Sequence, residues 1–234
     1  MAVDEIRRKL KRLGSKDRAE VSQRFFKTGP GEYGEGDVFL GIRVPDLRKL
    51  AREHGDIRLT EARQLLRSPI HEERLLALLI LVHAYSRGDD PARKKILNLY
   101  LSHTRFINNW DLVDLSAGHI VGAFLDGRDK SLLFDLAKSN DLWERRISIL
   151  ATSAYIKNGE FSHTLKIAET LMSDEEDLIH KAVGWMLREI GKRDQKAEEA
   201  FLKRHYKAMP RTMLRYAIER FPEGRRQRYL KGTI

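Results

Sequence analysis

Apolar side chains recur every three to four residues along most of the chain after Pro45, the spacing that lets a helix bury one face. The pattern predicts a strongly apolar helix from Ile70 to Ser86, an amphipathic one from Pro91 to His103, and another that starts at Trp110 and runs to about Phe124. Before Pro45, residues 4 to 27 read as two short helices split at Gly14-Ser15. Residues 28 to 41 then gather Gly29, Gly31, Gly34, Gly36 and Gly41 with Pro30, too many breakers for a helix. A loop or small hairpin with Tyr33 near its tip is expected there, most simply a solvated connection. Strand-like alternation finds no other place, so the class is all-α. Asp141 with Glu144, and Ser173 with Glu176, have the spacing of a capping box at two helix starts.

The helices repeat. Segments starting at His71, Ile107, Leu142 and Leu178 align with one another at intervals of about 36 residues, each interval holding one further amphipathic helix. Such a period is the mark of a curved solenoid of HEAT-like two-helix repeats, here expected to form one domain over residues 1–234. Matching apolar pairs set the register: Leu76 and Leu79, Leu112 and Leu115, Ile147 and Leu150, Val183 and Met186.

That register sends another set of positions to the opposite side of the same helices: Arg74, Leu75 and Leu78; Trp110, Asp111 and Asp114; Arg145, Arg146 and Ile149; Lys181, Ala182 and Trp185. Stacked, they are expected to line a concave groove. Trp110 and Asp114 are the informative pair. Four residues apart, they place an indole and a carboxylate side by side, about 6 Å between Cβ atoms, which suits a flat or cationic ligand. Trp110 and Trp185 lie outside the core positions of their own repeats, whereas Trp143, beside a helix cap, reads as structural.

Charge sharpens the picture. Lys and Arg number 44 against 34 Asp and Glu, a net +10 over 234 residues, which points to a polyanionic partner, nucleic acid ahead of a membrane surface. A carboxylate in a groove that meets phosphates weakens binding, so Asp114 needs another reason to be there. Arg145, Arg146 and Lys181 are candidates to hold phosphates, as are the basic runs at 203–207 and 225–231 with their interleaved tyrosines. The chain has no cysteine, which excludes disulfides, thiol chemistry and Cys-ligated metal centres. Its histidines show no ligand spacing, and no nucleotide-binding loop or nucleophile elbow is present. No metal and no cofactor are expected. The charged amino terminus lacks the apolar stretch of a secretory signal and no run is long enough to span a bilayer, so a cytoplasmic protein is expected. A monomer is expected as well.

Four motifs together resemble the AlkD family of HEAT-like-repeat DNA glycosylases: Phe39-Leu40-Gly41-Ile42-Arg43-Val44-Pro45, the Trp110/Asp114 stretch, Trp143-Glu144-Arg145-Arg146, and Ala182 to Glu189. The similarity covers roughly residues 17 to 220. It implies excision of N3- and N7-alkylated purines from double-stranded DNA. Trp110 and Trp185 match the family's groove tryptophans, Asp114 its catalytic carboxylate and Arg146 its groove arginine. Phe25 falls where the best-studied branch has a tyrosine, and that branch lacks the glycine loop. Some relatives carry a hairpin there and have weak or no known activity on alkylpurines. Phe25, Tyr33 and Arg74 join Arg145, Arg146 and Lys181 as expected DNA contacts. No lysine lies within a helical turn of Asp114, so the product should be an abasic site without strand cleavage. The alternatives are a non-catalytic solenoid that binds distorted or branched DNA, for which the Tyr33 loop is a candidate contact, and a protein-binding scaffold.

Overall fold

The computed structural model describes residues 2–234 and is helical nearly throughout. Among the described residues there is no strand, only an isolated parallel bridge between Val38 and Ile70. The helices form two compact units, one up to Ile120 and one from Val121 on. None of them is long and apolar enough to cross a membrane.

The first unit holds α1 (Ala2–Leu13), α2 (Lys16–Phe25), α3 (Val44–Glu53), α4 (Leu59–Leu66), α5 (His71–Arg87), α6 (Asp90–Leu101) and α7 (Trp110–Asp114). The break expected at Gly14-Ser15 separates α1 from α2, with the Ser15 hydroxyl accepting from Arg18 N. α1 buries Val3, Ile6 and Leu10, whereas α2 buries nothing. α5 is the unit's axis, with α3 and α4 packed on it. Every residue from His71 to Leu81 is buried, the mark of a helix covered all round rather than along one stripe.

The expected register holds for the core, but the face opposite it is corrected. The core pairs are buried in all repeats except for Leu115, which is half-buried. The opposite set, however, is no continuous exposed face. Arg74, Leu75, Leu78, Asp111, Arg146, Ile149 and Ala182 are all buried, and Trp110, Asp114, Arg145, Lys181 and Trp185 keep partial exposure.

α7 is also shorter than the periodicity predicts. It ends after five residues, is followed by a wide π turn at Gly118–Gly122, and resumes only as α8 (Ala123–Leu125). The Ser116 hydroxyl donates back to the Leu112 carbonyl at 2.5 Å, and Gly118 and Gly122 lower helix propensity just beyond. Gly122 has a second reason to be glycine, because a Cβ there would lie 2.1 Å from the Ala151 carbonyl oxygen.

The second unit continues with α9 (Ser131–Ala137), α10 (Leu142–Ala151), α11 (Ser153–Lys157), α12 (Ser162–Thr170), α13 (Asp177–Gly191), α14 (Gln195–His205), α15 (Arg211–Ala217) and α16 (Glu223–Lys231). α13 is central and buries Ile179, Val183, Met186, Leu187 and Ile190 against α10, α14 and α15. Asp141 caps α10 as expected, accepting from Trp143 N and Glu144 N. Ser173 does not cap α13. The backbone enters that helix through Glu176, which makes no side-chain cap bond.

Candidate functional site

The amino end of α5 reads His71-Glu72-Glu73-Arg74, four consecutive polar residues that are all buried. Buried charges persist only when paired and hydrogen-bonded, so each must have partners. Glu72 accepts from three successive backbone N–H groups of the glycine-rich segment: Leu40 at 2.9 Å, Gly41 at 2.7 Å and Ile42 at 3.2 Å. Glu73 pairs with Arg7 of α1 at 3.0 Å. Arg74 donates to the Asp37 carboxylate at 2.7 Å and to the Ser68 carbonyl at 3.0 Å. His71 bridges two carboxylates, Asp37 at 3.1 Å through Nδ1 and Asp111 of α7 at 2.8 Å through Nε2.

These bonds correct the reading of residues 28–41. No hairpin forms, and the segment is only partly a solvated connection: Pro30, Gly31, Glu32, Glu35 and Gly36 are exposed, whereas Gly34, Asp37, Phe39 and Gly41 are buried. Its end, from Asp37 on, is clamped onto α5 by Glu72, by Asp37, and by backbone bonds from Val38 N to Pro69 O and from His71 N to Val38 O. They also correct Arg74. Expected at the DNA surface, it is 3 % exposed and holds the inside of the unit together.

The clamp delivers Tyr33 to Trp110, whose indole N–H donates to the Tyr33 hydroxyl at 3.3 Å. Phe26 stacks on the indole at 5.0 Å and 22°, and Phe25 meets it edge-on at 5.8 Å. Behind Phe26, the rings of Phe39 and His71 continue the stack, 4.4 Å apart. Phe25 itself remains 63 % exposed. The structure therefore brings together three expected site residues, Trp110, Phe25 and Tyr33, from three separate stretches of sequence.

Asp114 closes α7 one turn after Trp110 and is half-buried. Its charge is felt by Tyr100, whose hydroxyl is hydrogen-bonded to Ser116 at 3.0 Å; burial raises the Tyr100 pKa far above its usual range, and Asp114 adds to that rise. Asp111, its neighbour on the same turn, faces inward to His71. Burial alone would favour neutral His71, but the charge and hydrogen bond of Asp111 and the bond to Asp37 outweigh it and lift its pKa to about 9. The imidazole is therefore protonated at neutral pH. Asp37 is shifted the other way: burial would raise its pKa, but the bonds from His71 and the Arg74 charge bring it below the usual value.

In the second unit, Arg145 on α10 pairs with Asp174 at 2.6 Å and donates to the Ser139 and Asn140 carbonyls. Arg146 is 4 % exposed and donates to the Leu178 carbonyl, so it too is an interior cation and not a surface one. Lys181 pairs with Asp177 one turn earlier on α13, and the Trp185 indole N–H donates to Glu189 at 3.0 Å. Sequence reading missed His71, Asp37, Glu72 and Phe26. A run of four polar residues opening a strongly apolar helix was the available signal.

The fold is similar to that of solved structures over almost its whole length. A predicted DNA alkylation repair enzyme from Enterococcus faecalis aligns with a TM-score of 0.69 at 16% identity, covering 90% of this chain and 98% of its own. AlkD2 from Streptococcus mutans aligns with a TM-score of 0.56, also at 16% identity, covering 89% and 99%. No curated protein sequence matches the chain. The sequence profile of the DNA alkylation repair enzymes matches residues 6–221. With that match spanning nearly all of its helices, the chain belongs to the DNA alkylation repair enzyme family.

Proposed function

We propose that this protein is a monofunctional DNA glycosylase that releases cationic N3- and N7-alkylpurines from duplex DNA and leaves an abasic site. The observation that carries the reading is the half-buried Asp114 carboxylate, one helical turn from the partly exposed Trp110 on α7, in a protein of net charge +10.

An alkylated purine of this kind already bears positive charge, so the bond from C1′ to the base breaks with its electron pair neutralising the leaving group, and no acid is required. The sugar acquires the positive charge instead. A preplaced carboxylate stabilises that oxocarbenium-like state, and it can orient the water that adds to C1′ and accept the proton that water loses. Such a contact accounts for about 3 to 4 kcal/mol, on the order of 10²- to 10³-fold in rate. Trp110 offers a cation–π and CH–π surface worth about 0.5 to 2 kcal/mol. Phe25 and Tyr33 extend that surface toward DNA. Lys181, Arg145 and Trp185 are assigned phosphate and nucleotide contacts in the second unit, where their partial exposure permits them.

A second reading, binding to distorted DNA without turnover, has one observation in its favour: Phe26 covers a face of the Trp110 indole and Tyr33 occupies its N–H. Duplex DNA carrying N7-methylguanine separates the two. Wild-type protein is expected to release the free base, and Asp114→Asn to bind the same duplex yet release it at least about 10²-fold more slowly. Equal rates would remove Asp114 from the chemistry, and no release by the wild type would leave the binding reading.

A further inference from the structure

The reaction assigned to α7 needs a rigid α7, yet a single helical turn does not hold itself. Nucleation of a helix is unfavourable, and five residues give almost no propagation to offset it. What fixes this turn is outside it. Asn109 caps it by accepting from Trp110 N at 2.8 Å, and His71 makes a charged contact to its inward face through Asp111.

The geometry of His71 favours the charged ring. Both ring nitrogens face carboxylate oxygens, at 3.1 and 2.8 Å, and a carboxylate can only accept. A neutral imidazole donates from one nitrogen alone and would turn a lone pair toward the second carboxylate. Between two ionised carboxylates, only imidazolium makes both bonds. The groups that face it close the count: Asp37 from the glycine-rich segment, Asp111 from α7 and Arg74 from its own helix give two negative and two positive charges with His71 protonated. Phe39 and Phe26 cover the ring from the same side of the fold as Trp110. The other carboxylate oxygen of Asp111 has no partner among the described residues, so His71 is what sustains that buried charge.

We propose that His71 is a positioning residue for the reaction: by donating to Asp37 and Asp111 at once, it locks α7 to the glycine-rich segment and so sets where the Trp110 indole and the Asp114 carboxylate stand. It touches neither substrate nor reacting atoms. The proposal rests on the glycosylase reading for its catalytic consequence, while the lock itself is a property of the free protein.

Two measurements test them separately. In nitrogen-15 spectra of the DNA-free wild-type protein, both His71 ring nitrogens should carry protons at neutral pH. Proton loss with a midpoint near 9 should shift the Trp110 indole N–H with the same midpoint. A neutral His71 at pH 7, or a Trp110 signal indifferent to its titration, overturns the lock. In single-turnover base release from N7-methylguanine DNA, His71→Gln should slow the rate by up to about 10²-fold, the scale of an ångström-sized misplacement. DNA affinity should stay nearly unchanged, and the alkaline fall of the wild-type rate should vanish. A variant that keeps the wild-type rate, or that keeps its alkaline limb, contradicts the positioning role. If His71→Gln does not fold, Asp111→Ala removes the same bond from α7, and the spectra of the wild type decide the lock in any case. A wild type that shows the lock but releases no base refutes the glycosylase reading and leaves the lock standing.

Discussion

Glu198, on α14, is 2 % exposed, with one carboxylate oxygen against the Gly191 backbone and the other without a partner among the described residues. Burial, with the neighbouring Glu199 charge, raises its pKa to about 8 against a smaller pull from Arg188. The folded protein therefore holds a proton that the unfolded chain loses near 4.5, and between those values stability falls as pH rises. Glu198→Gln is expected to raise the melting temperature at pH 8 to 9, by a gain on the order of a few kcal/mol, and to change little at pH 5. Equal effects at both pH values would show that the carboxyl is ionised throughout. His71 gives an alkaline loss of its own, since its contribution is complete below about 6.5 and disappears as pH rises through about 9. Single residues differed in how readable they were. Trp110 and Asp114 could be found because they are four apart on one helix. His71, by contrast, meets Asp37 and Asp111 across separations of 34 and 40 residues, and the polar run that opens its helix does not reveal those partners.

Among the elements, the segment from Thr28 to Gly41 departs most from its sequence appearance. Its glycines suggested freedom, and two of them show how differently such residues are used. Gly41 and Gly31 both have φ of +74°, but a Cβ at Gly41 would lie 2.3 Å from the Ser15 carbonyl oxygen and 2.5 Å from Ala19 N, whereas at Gly31 it would meet nothing within 4 Å. Gly31→Ala is expected to cost about 1 to 2 kcal/mol, the left-handed backbone penalty alone. Gly41→Ala adds a clash between backbones and should cost well above that, measured by denaturant unfolding of both variants. Equal losses would mean that α2 moves aside freely. Helix positions were legible from the spacing of apolar residues: α5 and α10 start within a residue of the expected points, whereas α13 starts at Asp177, three residues beyond the start that a Ser173 cap would give. α7 was misjudged in length because a serine hydroxyl and two glycines compete with a pattern that, counted by hydrophobicity alone, continues to Phe124.

For the whole molecule, the all-α class followed from periodicity, and the family from four ordered motifs. Which of the aligned positions reach the surface did not follow, because periodicity reports that a helix has two sides and not that both are covered. Arg74 and Arg146 were read as DNA-facing for that reason. On the proposed reading, the charge balance is the feature that gives Asp114 meaning. An excess of ten positive charges favours phosphate, and a carboxylate set against that field is worth its cost only if the ligand develops positive charge where Asp114 stands. The most direct measurement is therefore a comparison of base release from otherwise identical duplexes carrying cationic N7-methylguanine or neutral hypoxanthine. The account predicts release of the cationic base, dependent on Asp114, and none detectable of the neutral one; equal release of both, or release unaffected by Asp114→Asn, would contradict it.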